Sequence, residues 1–228
     1  MLSALTLLAR LAAVGAIALV ISDYGTTLTE IDAVSGTVTP NVASPGTFPN
    51  DVLWYLNNFF VVNSMSDDVT LQKFDPADWT CQALGIGTGM NCWAVRPLCG
   101  DTLAVSCALG NSIAIVDAAE MSLLGYVEGI GPNPEWFCVA EGKLYAACGG
   151  WLSDNKVVVM DIATLSPCDT ISVGLNVQSC VYDGVDQVYA ICTGTYGATD
   201  GEIHVIDIAS GEVTGVITTG FAPSIGVC

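Results

Sequence analysis

Basic residues are scarce. Arg10, Lys73, Arg96, Lys143 and Lys156 stand against 23 acids in 228 residues, a formal net charge of −18. Such a chain repels phosphate backbones and anionic headgroups, which excludes nucleic acid as an expected partner and disfavours anionic membrane surfaces. There is one histidine, His204, and no CxxC or CxxCH, so a zinc or haem site built from Cys and His lacks its ligands. GxSxG, HExxH, a P-loop and an EF-hand loop are missing as well. With no catalytic constellation, the expectation is a protein that is not an enzyme and carries no cofactor. No N-x-S/T sequon occurs. Charged residues make up only 12% against 52% apolar, the reverse of a disordered chain.

What is abundant is cysteine and glycine. Ten cysteines all lie from Cys81 onward, an even count without metal spacing, which favours disulfides and an oxidising compartment. The expected location is therefore extracellular or the cell surface. Residues 1–21 are nearly all apolar and resemble a leader or a membrane span. Arg10 sits mid-run, however, and the A-x-A site Ala16-Ile17-Ala18 falls inside a strand candidate. The segment is read as the first strand of the fold, with a removed leader as the alternative and no membrane span expected.

A repeat organises the chain. LTEIDAVSG, LQKFDPADW, IAIVDAAEM, VVVMDIATL and IHVIDIASG place Asp32, Asp75, Asp117, Asp161 and Asp207 at intervals of 43, 42, 44 and 46. The residue before each Asp is apolar, and so is the residue four before it. Positions three apart face opposite sides of a strand, so both faces of this strand are buried. A blade sandwiched between two blades reads that way; a half-exposed sheet does not. The Asp itself closes an Asx-type turn. Strands ending near Ser22, Ser64, Cys107, Cys148 and Cys192 precede it, with a further strand before and one after.

The fold class is thus all-β, a β-propeller of about five four-stranded blades in one domain. The blades run roughly 1–43, 44–87, 88–130, 131–174 and 175–219, and residues 220–228 form one extra C-terminal strand. The apolar run, Asp, small polar turn, outgoing strand and Gly-x-x-Pro (VVVMDIATL then TISVG; GVITTG then FAPSIGVC) resemble the YVTN-type surface-layer propeller repeat. LYAAC and VYAIC stand where that tetrapeptide would be. The resemblance implies a secreted or cell-surface propeller and supplies no catalytic residues.

Weaker candidates have ordinary explanations. Gly85-Ile86-Gly87-Thr88-Gly89 lacks the last Gly of a dinucleotide fingerprint and reads as an inter-blade turn. His204 occupies a position filled elsewhere by Thr29, Gln72, Ala114 and Val158, and reads as a surface residue. Asp67, Asp68, Asp183, Asp186 and Asp200 could in principle bind calcium, but no ligand spacing recurs. Trp151 and Tyr196 could support a sugar surface.

The cysteine spacing suggests three similar steps of 31, 32 and 36 residues, Cys107–Cys138, Cys148–Cys180 and Cys192–Cys228, each bridging a blade to its successor and adding about 3–4 kcal/mol. Cys138 is expected opposite Tyr145 and Cys180 opposite Tyr189, which disfavours simple hairpin bridges there. Cys81, Cys92, Cys99 and Cys168 are left unassigned. The extra strand, with Phe221, Pro223, Ile225 and Val227, competes with residues 4–13 for the innermost position of blade 1. The displaced strand would seek the open edge of another copy. The leading expectation is a homopolymeric structural protein, a surface layer or filament joined head-to-tail by strand exchange. The alternative is a secreted lectin-like or lactonase-like propeller using its central channel.

Overall fold

A computed structural model of the chain describes residues 7–8, 17–22, 26–65 and 67–223. It contains five four-stranded antiparallel sheets, each a meander in chain order. Blade 1 is β1 (Leu7–Leu8), β2 (Ile17–Ser22), β3 (Thr27–Asp32) and β4 (Val38–Ala43). Blade 2 is β5 (Pro49–Tyr55), β6 (Asn58–Asn63), β7 (Leu71–Phe74) and β8 (Cys81–Leu84). Blade 3 is β9 (Cys92–Pro97), β10 (Thr102–Cys107), β11 (Ser112–Asp117) and β12 (Ser122–Val127). Blade 4 is β13 (Pro134–Ala140), β14 (Lys143–Cys148), β15 (Lys156–Asp161) and β16 (Ser166–Ser172). Blade 5 is β17 (Val177–Tyr182), β18 (Gln187–Cys192), β19 (Glu202–Asp207) and β20 (Glu212–Thr218). Helix is confined, among the described residues, to two 3-10 turns at Asp67–Val69 and Gly150–Leu152.

The repeat strand has both faces buried in the middle blades. In β11, Ile113, Ala114, Ile115 and Val116 are all enclosed, and so are Val157, Val158, Val159 and Met160 in β15. Alternate residues feed different cores. Val158 and Met160 pack with blade 3, whereas Val157 and Val159 pack with blade 5. In blades 2 to 5 the innermost strand starts just after a left-handed residue, Phe48, Asn91, Asn133 and Asn176 in turn, with φ of 50, 49, 51 and 55°. Asn tolerates this region better than most side chains because its amide can bond locally. Its carbonyl accepts the N–H that follows the second strand, from Ala108 to Asn91 and from Thr193 to Asn176; Ser64 does the same to Phe48.

Apolar packing between blades falls into four clusters. They join blades 1 and 2, 2 and 3, 3 and 4, and 4 and 5. A closed five-bladed ring needs a fifth. Among the described residues, no comparable packing joins blade 5 to blade 1. β1 holds the innermost position of blade 1, paired with β2 through Leu7↔Val20 and Leu8↔Leu19. The described residues therefore form an arc of five blades with two end faces.

Candidate functional site

The end face of blade 5 is the largest departure from the repeat. Tyr145, Val157, Val159 and Ile171 of blade 4 are covered by blade 5 and are at most 6% exposed. Their register equivalents in blade 5 are Tyr189, Ile203, Val205 and Ile217. The first three are half-buried and Ile217 is 51% exposed. On the opposite face of the same sheet, Val188, Ala190, Cys192 and Ile206 are fully packed against blade 4. The far face of blade 1 is similar, with Ala18, Val20, Thr29 and Ile31 half-buried while Leu19, Ile21 and Leu28 pack on blade 2.

The chain leaves blade 5 along the path that elsewhere leads to another blade. Thr219 N–H donates to Gly201 O at 2.9 Å, as Val173 N–H donates to Asn155 O at 2.8 Å before the innermost strand of blade 5. Thr193 Oγ1 then donates to Pro223 O at 2.5 Å. Phe221 is exposed. Of the expected assembly strand, Ile225 and Val227 lie outside the described residues, as does Cys228.

The repeat aspartates sit in the turns between third and fourth strands and bond the backbone ahead. Asp32 accepts from Val34 and Ser35 N–H, Asp75 from Ala77, Asp117 from Ala119 and Glu120, Asp161 from Thr164 and Asp207 from Ser210. These bonds favour the ionised form and hold Asp32, Asp161 and Asp207 below the usual carboxylate range. The geometry is that of a turn and not of a ligand set.

The structure does not bring together the partners of the first two expected cysteine pairs, Cys107 with Cys138 and Cys148 with Cys180. Cys107 lies in the core between blades 2 and 3, and Cys138 in the core between blades 4 and 5. Cys148 and Cys180 lie on opposite faces of blade 4's sheet. Cys192 points at blade 4, and its proposed partner Cys228 is outside the described residues. Cys107, Cys148, Cys180 and Cys192 carry no bridge in the structure. The reason for the recurring cysteine at the end of the second strand is packing. Cys107, Cys148 and Cys192 each fill the same slot against the preceding blade, as small hydrophobes do. Burial pushes the Cys148 and Cys192 thiols up to about 12, which suppresses the thiolate. Cys138 stands opposite Tyr145 as the register implied, whereas Cys180 stands opposite Ala190 and Val181 takes Tyr189. Cys81, Cys99 and Cys168 are exposed.

The innermost strands carry a polar chain that the repeat does not announce. Asp51 is fully buried and accepts from Val52 N–H (3.0 Å), Val95 N–H (2.9 Å) and Arg96 Nη1 (2.5 Å). The Arg96 guanidinium lies 5.6 Å from the Trp136 ring centroid, so one side chain ties together blades 2, 3 and 4. Burial pushes the Asp51 carboxyl up, and Arg96 with the two N–H groups opposes that shift. The only sequence signal was an unrepeated acid and an unrepeated Arg inside strand segments.

Glu135 follows two residues after Asn133, whose Nδ2 donates to its Oε1 at 2.5 Å. Burial raises its carboxyl to about 7. The folded-state value exceeds the unfolded one, so the neutral acid is tolerated and ionisation is penalised. Glu135 therefore costs almost nothing below about pH 4.5, destabilises increasingly as pH rises from there to about 7, and keeps a constant penalty above it. Glu135→Gln keeps the acceptor and removes the charge. It is expected to stabilise by about 1–3 kcal/mol at pH 8 and by almost nothing at pH 4.5, measured by urea denaturation.

Other candidates are placed as follows. His204 is not a surface residue: it turns toward blade 4, with its Nε2 2.8 Å from Glu202 Oε2 and its side chain 13% exposed. Asp67, Asp183 and Asp200 accept turn N–H groups from Gly89, Val185 and Thr195, while Asp68 and Asp186 are exposed. No cluster of three or more potential metal ligands occurs among the described residues. Residues 85–89 lie between β8 and β9. Trp151 and Tyr196 are exposed on equivalent loops of blades 4 and 5, with Gln178 Nε2 donating to Tyr196 Oη at 2.6 Å.

No family model and no curated protein matches the chain. Solved structures do. A computationally designed protein, Ika8, aligns with a TM-score of 0.71 at 15% identity, over 93% of this chain and 62% of that one. BamB from Moraxella catarrhalis aligns at 0.62 with 16% identity, over 91% and 62%. Hydrazine synthase from Kuenenia stuttgartiensis aligns at 0.63 with 19% identity, over 72% and 46%. At these identities the likeness is one of fold: the chain is a β-propeller. It spans about half to three-fifths of the length of these structures.

Proposed function

We propose that the chain is a structural β-propeller of the cell exterior, similar in role to YVTN-type surface-layer proteins, that assembles head-to-tail with copies of itself. The observation that carries this reading is the uncovered apolar face of blade 5, beside which residues 219–223 follow the route into a further innermost strand. The occupant is blade 1 of a second copy, which presents its own half-buried face. The segment from Phe221 onward supplies backbone groups at the junction. Donor and acceptor are different surfaces, so the contact is heterologous and propagates into a filament or layer. The acidic surface and cysteine content suit an exported protein.

Light scattering on purified chain, with electron microscopy, tests it. Intact protein is expected to form particles many times the 23.6 kDa chain mass. Removing residues 221–228 is expected to leave soluble monomers, and deleting residues 1–14 to do so if the N-terminal strand is what is exchanged. A native monomer, or an oligomer indifferent to both deletions, overturns the reading. The lectin-like or lactonase-like alternative has buried inner-strand carboxylates in its favour. Asp51, though, is already filled by Arg96, Val52 and Val95.

A further inference from the structure

Four blades share a bulge near the start of the innermost strand, where the register with the second strand slips by one. Just beyond it, facing pairs are Pro49↔Asn63, Cys92↔Cys107, Pro134↔Cys148 and Val177↔Cys192. The extra residue turns Cys92 onto the same face as Val95, into the core between blades 2 and 3. Blade 3 alone among these four sets cysteine against cysteine. The two Sγ atoms are 3.2 Å apart, and both side chains are fully buried. By contrast, the Cys148 thiol already donates to Ile130 O at 2.9 Å, and Cys192 faces a valine.

We infer that Cys92 and Cys107 form a disulfide in the mature protein, a cross-strand bridge fastening the innermost hairpin of blade 3. The opposed register satisfies the requirement that Cα and Cβ vectors converge before a bridge can form. Two thiols with no third ligand beside them do not make a metal site. The facing Cys107 thiol and burial both push the Cys92 thiol well up, so exchange is suppressed once blades 2 and 3 have packed. The bond is made during folding. One thiolate attacks a small disulfide such as oxidised glutathione and releases one reduced glutathione; the second thiolate then displaces the other. Two protein thiols and one glutathione disulfide become one protein disulfide and two glutathione thiols.

The full chain, refolded from urea in a mixture of oxidised and reduced glutathione, decides the matter. After alkylation and non-reducing digestion, fragment sequencing that separates Cys92 from Cys81 and Cys99 is expected to find Cys92 joined to Cys107. Reductant is expected to lower Tm by about 5–10 °C, as a bridge closing a loop of roughly 15 residues would. Cys92→Val places in blade 3 the residue that blade 5 has at the same position, so it is expected to fold and to lose this response to reductant. The inference is overturned if both cysteines are alkylated in the oxidatively refolded protein, or if either is bridged elsewhere. It is equally overturned if Cys92→Val keeps the full response.

Discussion

Replacing Arg96 by alanine is expected to destabilise the protein by about 3–5 kcal/mol at pH 8, because it leaves the Asp51 carboxylate buried without its counter-charge. Asp51 has no exposed surface, and Arg96 is its one charged partner in the ion pair. The Asp51 carboxyl is already raised by burial, and the loss of Arg96 raises it further. A carboxyl whose folded value lies above its unfolded value stabilises least where it must ionise. The penalty of Arg96→Ala is thus largest at pH 8 and shrinks towards pH 4. Combining Arg96→Met with Asp51→Asn removes both charges, keeps an acceptor for one of the Val52 and Val95 N–H groups, which bond different oxygens of Asp51, and is expected to recover part of the loss. Urea denaturation of the four proteins at pH 4 and 8 measures this. A loss below about 1 kcal/mol for Arg96→Ala at pH 8 would mean that the pair does not hold the three blades together.

Lysine at Val157 and lysine at Ile203 should behave as differently as two core mutations can, although the positions are equivalent in the repeat. Val157 is fully enclosed between blades 4 and 5. An ammonium there has no partner, and Val157→Lys is expected to cost more than about 4 kcal/mol and to prevent folding or nearly so. Ile203 lies on the half-buried end face, where a lysine can reach water along its stem. Ile203→Lys is expected to cost a monomeric chain less than about 1 kcal/mol. If the end face receives a second copy, the same change also abolishes assembly. Chemical denaturation together with light scattering reads both effects. Equal damage at the two sites would show that blade 5 is covered on both faces within a single chain.

The sequence made the blade legible because the blade is local. Two apolar positions three apart, ahead of Asp32, Asp75, Asp117, Asp161 and Asp207, can only both be buried in a sheet packed on two sides, and each Asp bonds the turn that follows it. The cysteines were harder to read. Their steps of 31 and 32 residues reflect the period of the repeat, and a repeated residue occupies the same slot in every blade. That slot points Cys107 and Cys148 at the preceding blade. The bulge that turns Cys92 toward Cys107 is a backbone feature with no residue signature beyond the left-handed Asn91 before it.

By itself the sequence determined the strands, their grouping in fours, the number of repeats and the turn chemistry, since hydrophobic period and Asx bonding act over fewer than ten residues. Only the tertiary structure decided what lies far apart in the chain. It set which face each cysteine presents, it joined Asp51 to Arg96 across 45 positions, and it left the far side of blade 5 uncovered. Blade-to-blade curvature governs those contacts, and it arises from the packing of whole sheets, which no local pattern encodes.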